Sequence, residues 1–502
     1  MSSTTPEHVS ASAAAAPAGK TGHPRGLYTI FMTEMWERFS YYGMRGLLVL
    51  YLVNALHYDR ADALALYGIY TSLVYLTPMF GGALADKYLG GRRAAIIGGA
   101  VMMLGHLAMA FEPLLNLALG LLIIGNGFFK PNTTTMVGEL YDGENDPRRA
   151  GGYSIFYMGI NLGAFLAPFV AGTLGEKVGW HWGFGAAAVG MAFGLTQFVL
   201  GQKHLGRAGL KAHQDAVTAK DVPQIAMWTI GATVSVYLAI FAWGFIGPVW
   251  AGLSGPVKML LGTSVIGASL FMIARPDPSH PAPALTRQDY GRVFGIIVAM
   301  IFVIVFWTGF EQAGGTMNLF ADKQTDRTLG FAGIDIVPAT WFQAVNPIAI
   351  VIFAPLFSIL WTKLDQSRYA LPDIAKQGVG MVVLGLGFLV MAHADTLAKA
   401  GLVGMHWLVI VYVIHTLAEL AVSPVGLSMV SRLAPARIAA LLMGVWFLSS
   451  AAANYVAAVL EHWLEGSSMG LYDFLAWLAI GAGALLLVIT PVLSRIMGLK
   501  KA

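Results

Sequence analysis

Cysteine is absent from this 502-residue chain. The absence excludes disulfides, thiolate metal sites and cysteine nucleophiles. Charge is scarce as well, because Asp, Glu, Lys and Arg make up only 12% of the residues, against roughly a quarter in a soluble domain. Hydrophobic residues account for 57%, and apolar runs of about 20 residues, long enough to cross a bilayer, recur along the chain. The alternating pattern of a membrane barrel is missing. The sequence therefore predicts an all-α membrane protein.

Elements typical of enzymes are also missing. There is no "HExxH" or "GxSxG" element, no pair of aspartates in facing spans, and no histidine spacing that suits a metal. The net charge of +4 does not indicate a nucleic-acid partner, because the basic residues lie in short loops between apolar runs. A channel is disfavoured because the charges within the spans are of mixed sign. We expect no enzymatic activity, no metal and no cofactor.

Fourteen spanning helices are predicted, arranged as six, two and six. Residues 1–24, rich in Ala, Ser, Thr and Pro, are expected to form a disordered cytoplasmic tail. Residues 25–202 form the first six-helix bundle, residues 203–290 hold linkers and two inserted helices, and residues 291–502 form the second bundle. The predicted spans are about 27–55, 64–88, 92–112, 115–140, 151–176, 182–201, 223–246, 250–274, 291–320, 338–363, 375–394, 404–432, 436–461 and 472–497. The two inserted spans are joined by the uncharged turn "GFIGPV".

Basic residues near the span ends predict the orientation. With a cytoplasmic N-terminus, roughly 22 Lys and Arg fall on the cytoplasmic side and roughly 5 on the other. Both termini are therefore expected in the cytoplasm, and the protein in the cell (inner) membrane. Two six-helix halves and the loop "GGALADKYLGGRR", residues 81–93, resemble the major facilitator superfamily, whose substrate site lies at the midplane between the halves. A structural role suffices for the loop, with Asp86 near a helix end and Arg92 and Arg93 as cytoplasmic charges.

Seven charged residues fall inside the predicted spans and away from the span ends. Each costs between a few and more than about 10 kcal/mol at mid-membrane, so each is a functional candidate. They are Glu34, Glu37, Arg38 and Arg45 in the first span, Lys130 in the fourth, Glu311 in the ninth and Glu419 in the twelfth. Four acids and three bases can pair with one another across the bundle, and one extra proton would alter the pairing.

The first span places its charges on one helix face. Glu34, Arg38, Arg45 and one of the two tyrosines, Tyr41 or Tyr42, follow one another at intervals of three or four residues. This face must point into the bundle or into water. The alternative is an ion pair between Glu34 and Arg38 that only makes the helix more rigid, but one pair would not require the other charges.

The segment "EMWERFSYYG", residues 34–43, resembles the ExxERFxYYG motif of the proton-coupled oligopeptide transporter (POT) family and matches it at every specified position. Further motifs of the family follow in order: "GFFKPN" with Lys130, "FYMGINLG" with Asn161, "FWTGFEQAGG" with Trp307 and Glu311, "WFQAVNP" with Asn346, and "AELAVSPVG" with Glu419. The resemblance covers nearly the whole chain, and the extra helix pair resembles bacterial members. Animal members carry a histidine in the second helix where this chain has Gly68, so coupling here must depend on carboxylates.

The resemblance implies proton-driven uptake of di- and tripeptides by alternating access. Protons are then the coupling ion, peptide-like drugs are further candidate ligands, and the protein is expected to work as a monomer in the lipid bilayer. A major facilitator carrier of another class, either a drug/proton antiporter or a nitrate-type transporter, is the alternative. The combination of Arg38 and Lys130 favours a substrate that bears a carboxylate, and nitrate would leave Glu419 without a partner.

A peptide presents a carboxylate, an ammonium and an amide, and the candidate residues match these groups. Arg38 and Lys130 suit the carboxylate, and Glu419 suits the ammonium. Asn161 and Asn346 suit the amide, although Asn161 can equally serve helix packing. The remaining predicted substrate residues are Tyr41, Tyr42, Tyr75, Trp307, Glu311 and Trp446, of which the aromatic ones are predicted pocket walls.

Proton coupling is predicted for Glu34 and Glu37 together with Arg38 and Lys130. A deprotonated glutamate pairs with a base, and protonation frees that base for the peptide carboxylate. The family resemblance implies two gating salt bridges. They are Arg45 with Glu311 on the outer side, and Lys130 with Glu419 on the inner side.

Overall fold

The computed structural model describes residues 22–143, 146–211, 214–252, 285–331, 334–435 and 438–498. Most of the predicted tail, and the predicted span 250–274 apart from its first three residues, lie outside these ranges. The described residues are overwhelmingly helical, which confirms the all-α prediction, and eleven of their helices are long and apolar enough to cross a membrane. The total of fourteen spans and the division of the chain between bundles stay predictions.

The described α-helices, all but one of them long, follow most of the predicted spans closely. They are α1 (Arg25–Asn54), α2 (Arg60–Leu84), α3 (Gly91–Ala108), α4 (Leu115–Glu139), α5 (Arg149–Ala167), α6 (Trp180–Gly201), α7 (Val222–Gly252), α8 (Arg287–Phe310), α9 (Thr316–Lys323), α10 (Val345–Asp365), α11 (Asp373–Ala398), α12 (His406–Leu433), α13 (Ala439–Trp463) and α14 (Leu471–Ile496). Four short strands lie in the connections, β1 (Thr325–Asp326), β2 (Thr328–Phe331), β3 (Ile334–Ile336) and β4 (Val403–Gly404). β1 pairs with β4 in parallel and β2 with β3 antiparallel.

Helices pack on one another both within each half and across the interface between the halves. In the first half α1 lies against α5 and α6, and α4 lies against α2 and α3. In the second half α11 lies against α12 and α14, and α8 lies against α13. The halves meet where α2 packs on α13 and α5 packs on α10. At Gly68 an added Cβ would lie 2.9 Å from the carbonyl oxygen of Asn454, so only glycine allows this approach of α2 to α13.

The predicted span 291–320 is wrong as one continuous helix. It divides into α8, a 3₁₀ turn Glu311–Gly314 and the short α9. The break falls at Gly314 and Gly315, which weaken a helix because they lack side chains. The side chain of Gln312 donates to the carbonyl oxygens of Thr308 (3.3 Å) and Ala457 (3.1 Å), so the broken segment is held against α13. As a result, Glu311 sits at a helix end.

The predicted turn at "GFIGPV" is also wrong, because α7 continues through it to Gly252. Proline and glycine are tolerated within helices in an apolar environment. α7 packs on α3 and α4, with the Trp228 ring 6.4 Å from that of Phe128. At its start Asp221 forms an ion pair with Arg93, 2.5 Å from atom to atom. The described inserted helix is thus attached to the first half.

The loop between α2 and α3 has a structural role, as the sequence suggested. Arg92 is 1% exposed, and its guanidinium donates to the carbonyl oxygens of Ala208 (2.8 Å) and Gly206 (2.7 Å). Buried backbone carbonyls need such donors. Arg92 therefore fastens the segment after α6 to the end of the first bundle.

Candidate functional site

The charged face of α1 is buried inside the protein. Glu34 and Glu37 are both 0% exposed and Arg38 is 7% exposed. Arg38 lies near the middle of a 30-residue helix, which is about 45 Å long at 1.5 Å per residue. The charges therefore lie at mid-depth in the bundle, where they need partners.

Four charges form one connected cluster at this depth. Arg38 donates through Nε and Nη2 to the two carboxylate oxygens of Glu37, at 2.5 and 2.6 Å. Lys130 on α4 forms an ion pair with Glu34, and Arg38 Nε lies 3.6 Å from the same Glu34 oxygen. We call Glu34, Glu37, Arg38 and Lys130 the four-charge cluster. It contains two acids and two bases, so with all four groups ionised it is neutral.

The two tyrosines of the motif lie beside this cluster. The guanidinium carbon of Arg38 is 4.6 Å from the ring centre of Tyr41 and 5.9 Å from that of Tyr42, within cation–π range. Tyr41 is only 2% exposed, so in this conformation it supports Arg38. Tyr42 is partly exposed.

The second half contributes a carboxylate with an amide partner. Asn346 Nδ2 donates to Glu419 Oε2 at 2.9 Å and to Thr416 Oγ1 at 3.0 Å. Glu419 is 8% exposed. Among the described residues, Glu419 has no ion pair with a basic side chain. Lys130, its predicted inner partner, is paired with Glu34 here, so the inner salt bridge stays a prediction for another conformation.

The remaining predicted residues lie in different environments. The Asn161 amide donates to the Tyr157 carbonyl of its own helix at 3.0 Å. Because this bond joins no second helix, both roles considered for Asn161 stay predictions. Trp446 is 7% exposed. Trp307 and Tyr75 are partly buried.

Arg45 joins the two halves on the predicted outer side of the cluster. It forms an ion pair with Glu311, and its Nε donates to the hydroxyl of Tyr67 at 2.5 Å. Arg45 is 8% exposed and Glu311 is 6% exposed. The contact links α1, α2 and the broken segment after α8. The predicted pairing of Arg45 with Glu311 is thus present in this conformation.

A second, partly buried contact between the halves was missed by sequence reasoning. The carboxylate of Glu176, at the end of the fifth predicted span, accepts from the backbone N–H groups of Ala339 (2.7 Å) and Thr340 (2.9 Å). It also accepts from the Thr340 hydroxyl at 2.7 Å, and Arg327 lies 3.4 Å away. The first N–H groups of a helical segment need such an acceptor, and Pro338 before them supplies none. We call Glu176, Arg327 and Thr340 the outer latch.

Loss of the latch carboxylate should favour opening of the outer side. We expect Glu176→Ala to raise the ratio of outer-open to outer-closed molecules by about tenfold. The N–H groups of Ala339 and Thr340 lose their acceptor, and Arg327, which keeps its ion pair with Asp322 at 2.8 Å, loses its partner in the first half. The cysteine-free chain suits distance measurements between spin labels at Tyr58→Cys and Ala400→Cys, one on each half. Glu461→Ala is the matched control, since its pair with Arg60 is 2.6 Å long but solvent-exposed, and such pairs contribute about 0–1 kcal/mol. Equal distance distributions in the two variants would contradict the latch.

Known proteins of similar sequence and structure were found over nearly the whole chain. A family model described as "POT family" matches residues 92–472. The chain is 38% identical to "Uncharacterized transporter YclF" of Bacillus subtilis (strain 168), over 95% of this chain and 96% of that protein. It is 32% identical to a "Di-/tripeptide transporter" of Lactococcus lactis subsp. cremoris, over 95% of this chain and 97% of that protein.

Solved structures also show similarity to POT family transporters. The fold is similar to a crystal structure of a mutant of the peptide transporter POT in complex with alafosfalin, with a TM-score of 0.78 and 39% sequence identity. The match covers 95% of this chain and 97% of that one. The fold is therefore shared over the matched part of the chain.

Proposed function

This chain belongs to the POT family, and from that premise we propose that it imports di- and tripeptides together with protons by alternating access. It is a multi-pass membrane transporter of peptides with a major facilitator fold, and not an enzyme. A carrier of another major facilitator class is not favoured. Peptide size, proton coupling and the roles of single residues belong to the proposal.

The charge balance of the four-charge cluster carries the proposal. Two carboxylates and two cations compensate one another in a buried site. A peptide carboxylate that binds Arg38 adds one negative charge, and an uncompensated buried charge is costly. A proton on Glu34 or Glu37 restores neutrality and frees the base for the substrate. Binding of peptide and binding of proton then favour each other.

The second half offers the complementary site for the peptide ammonium. Glu419 is buried and receives a hydrogen bond from Asn346, and it has no basic partner among the described residues. An ammonium supplies the missing positive charge and can donate three hydrogen bonds. Arg38 and Glu419 lie on different halves, so a bound peptide would join them. The substrate itself would thereby favour closure of the halves around it.

The position of the contacts between the halves supports alternating access. Among the described residues the ion pairs that join the halves are Arg45 with Glu311, Arg60 with Glu461, and Arg327 with Glu176. By the charge distribution of the loops, all three lie on the outer side and both termini in the cytoplasm. We infer a monomeric transporter in the cell (inner) membrane that needs protons and no other cofactor, and that can also accept peptide-like drugs.

Uptake into proteoliposomes tests the function directly. Labelled dialanine is offered with and without an inward proton gradient, and unlabelled dipeptides, tripeptides and free amino acids serve as competitors. We expect accumulation that requires the gradient, and competition by di- and tripeptides but not by amino acids. Uptake indifferent to the gradient, or insensitive to dipeptides, would contradict the proposal.

Glu419→Gln should weaken binding of peptides that carry a free amino terminus. The substitution keeps a partner for Asn346 but removes the negative charge, so we expect KM for dialanine to rise by about tenfold or more. Uptake of N-acetylated dialanine, which has no ammonium, should change little. Glu465→Gln is the control because that side chain is 59% exposed. Equal losses for the acetylated and free peptides would assign Glu419 another role.

A further inference from the structure

A proline inside α2 leaves a backbone carbonyl for another helix to bind. Pro78 lies within α2, and because proline has no N–H it cannot donate to the carbonyl of Val74, four residues earlier. Asn126 on α4 supplies the missing donor, with its Nδ2 2.9 Å from Val74 O. A buried carbonyl without a partner is costly, so this bond fixes the side chain of Asn126 against α2.

The bond to Val74 also decides which way the Asn126 amide faces. With Nδ2 directed to α2, Oδ1 accepts from Arg38 Nη2 at 3.4 Å. The reverse orientation would place the NH2 group against the guanidinium and the oxygen against a carbonyl, so both contacts would become repulsive. Asn126 is 3% exposed, and water therefore cannot readily replace either partner. The amide has one stable orientation here.

Asn126 thereby helps to set how Arg38 is presented. The guanidinium uses Nε and Nη2 for Glu37, and Nη2 for Asn126. Within the part of the chain that the structure describes, Nη1 has no hydrogen-bond partner. Arg38 thus keeps one nitrogen, with its two N–H groups, free for a ligand while its other two nitrogens are held. A substrate carboxylate can first bond Nη1, and to bond Nε and Nη2 together, as Glu37 does, it must displace Glu37. This displacement is the exchange that the proposed coupling requires.

We propose that Asn126, oriented by the carbonyl that Pro78 leaves free, is a positioning residue that holds Arg38 in the geometry needed to exchange Glu37 for a substrate carboxylate. The inference rests on the proposed function, because it assumes that Arg38 receives the peptide carboxylate. It also connects the four-charge cluster to α2, the helix that carries Tyr67 of the outer contact and packs on α13. A shift of α2 would move the Val74 carbonyl and the Asn126 amide bonded to it. The hydrogen bond from Arg38 to Asn126 would thereby change.

The test compares two dipeptides that differ only at the carboxyl end. Uptake of dialanine and of dialanine amide is measured in proteoliposomes, and the ratio of their kcat/KM values gives the preference for a free carboxylate. We expect Asn126→Leu to lower this preference by about tenfold through a higher KM for dialanine. A residue that only supports the fold would lower both rates together, and the unchanged ratio would overturn the inference.

A second variant separates positioning from stability. Pro78→Ala supplies an N–H for the Val74 carbonyl, so adding it to Asn126→Leu should recover thermal stability lost with the single change. The preference for dialanine should nevertheless stay low, because nothing replaces the acceptor at Arg38. A double variant that recovers the preference together with its Tm would show that Asn126 acts only through stability, against the inference.

A matched control and the wild type complete the design. Asn132 also lies on α4, is 6% exposed, and donates to the Phe128 carbonyl of its own helix at 2.7 Å. Asn132→Leu should leave the preference unchanged. A wild type that shows no proton-driven uptake, or no preference for the free carboxylate, would contradict the proposed function. A normal wild type together with a normal ratio in Asn126→Leu would contradict only the inference.

Discussion

Glu37→Gln is expected to abolish proton-driven accumulation of dipeptides while exchange of peptide across the membrane continues. Glu37 is fully buried and occupies two nitrogens of Arg38. Glutamine has nearly the same shape, but it cannot carry the charge that a proton would neutralise. The proton gradient then cannot change the pairing between residue 37 and Arg38. A ligand, here the proton, shifts a conformational equilibrium only if it binds the two states with different affinities. We expect driven accumulation to fall by at least about tenfold, to the level found without a gradient.

Two transport modes measured on the same proteoliposomes distinguish this outcome from misfolding. Gradient-driven uptake should be lost, whereas counterflow of labelled dialanine into vesicles loaded with unlabelled dialanine should continue. Glu112→Gln is the control, since Glu112 is exposed in the connection between α3 and α4. If driven uptake survives in Glu37→Gln, the coupling site is elsewhere, and Glu34→Gln would be the next variant to measure.

Arg38→Lys is expected to reduce kcat/KM for dialanine by about a hundredfold, although the charge is kept. The planar guanidinium bonds both oxygens of Glu37 and lies 4.6 Å from the Tyr41 ring centre. An ammonium is a point charge that cannot bridge two oxygens in the same plane. Both the bond to Glu37 and the later bond to a peptide carboxylate are therefore weakened.

Substrate variation shows whether the lost interaction is the one with the carboxylate. For dialanine amide, Arg38→Lys should cause a much smaller loss than for dialanine. Arg60→Lys is the matched control, because Arg60 forms its pair with Glu461 where its side chain is 42% exposed. Equal losses for the two peptides would mean that Arg38 supports the cluster without contacting the substrate carboxyl group.

Local patterns determined the helices and the candidate charges. The first span was predicted at about 27–55, and α1 is Arg25–Asn54, because the length of an apolar run is readable along one dimension. The same holds for the shared face of Glu34, Arg38 and Arg45, which follows from helical spacing. The break at Gly314 and Gly315 was not predicted. Glycine weakens a helix, but the tertiary packing around it decides whether the helix continues, and that packing cannot be read from the sequence.

The sequence by itself determined that this is a helical membrane protein of the POT type, and it predicted which charged residues lie within the spans. Only the tertiary structure decided the partners: Lys130 with Glu34, Asn126 between Val74 and Arg38, and Glu176 with Thr340 of the other half. Spacing along a chain fixes neighbours within about two turns of a helix, whereas these partners are dozens of residues apart. A transporter that alternates between conformations must also encode more than one set of such pairs, and the structure selects one of them.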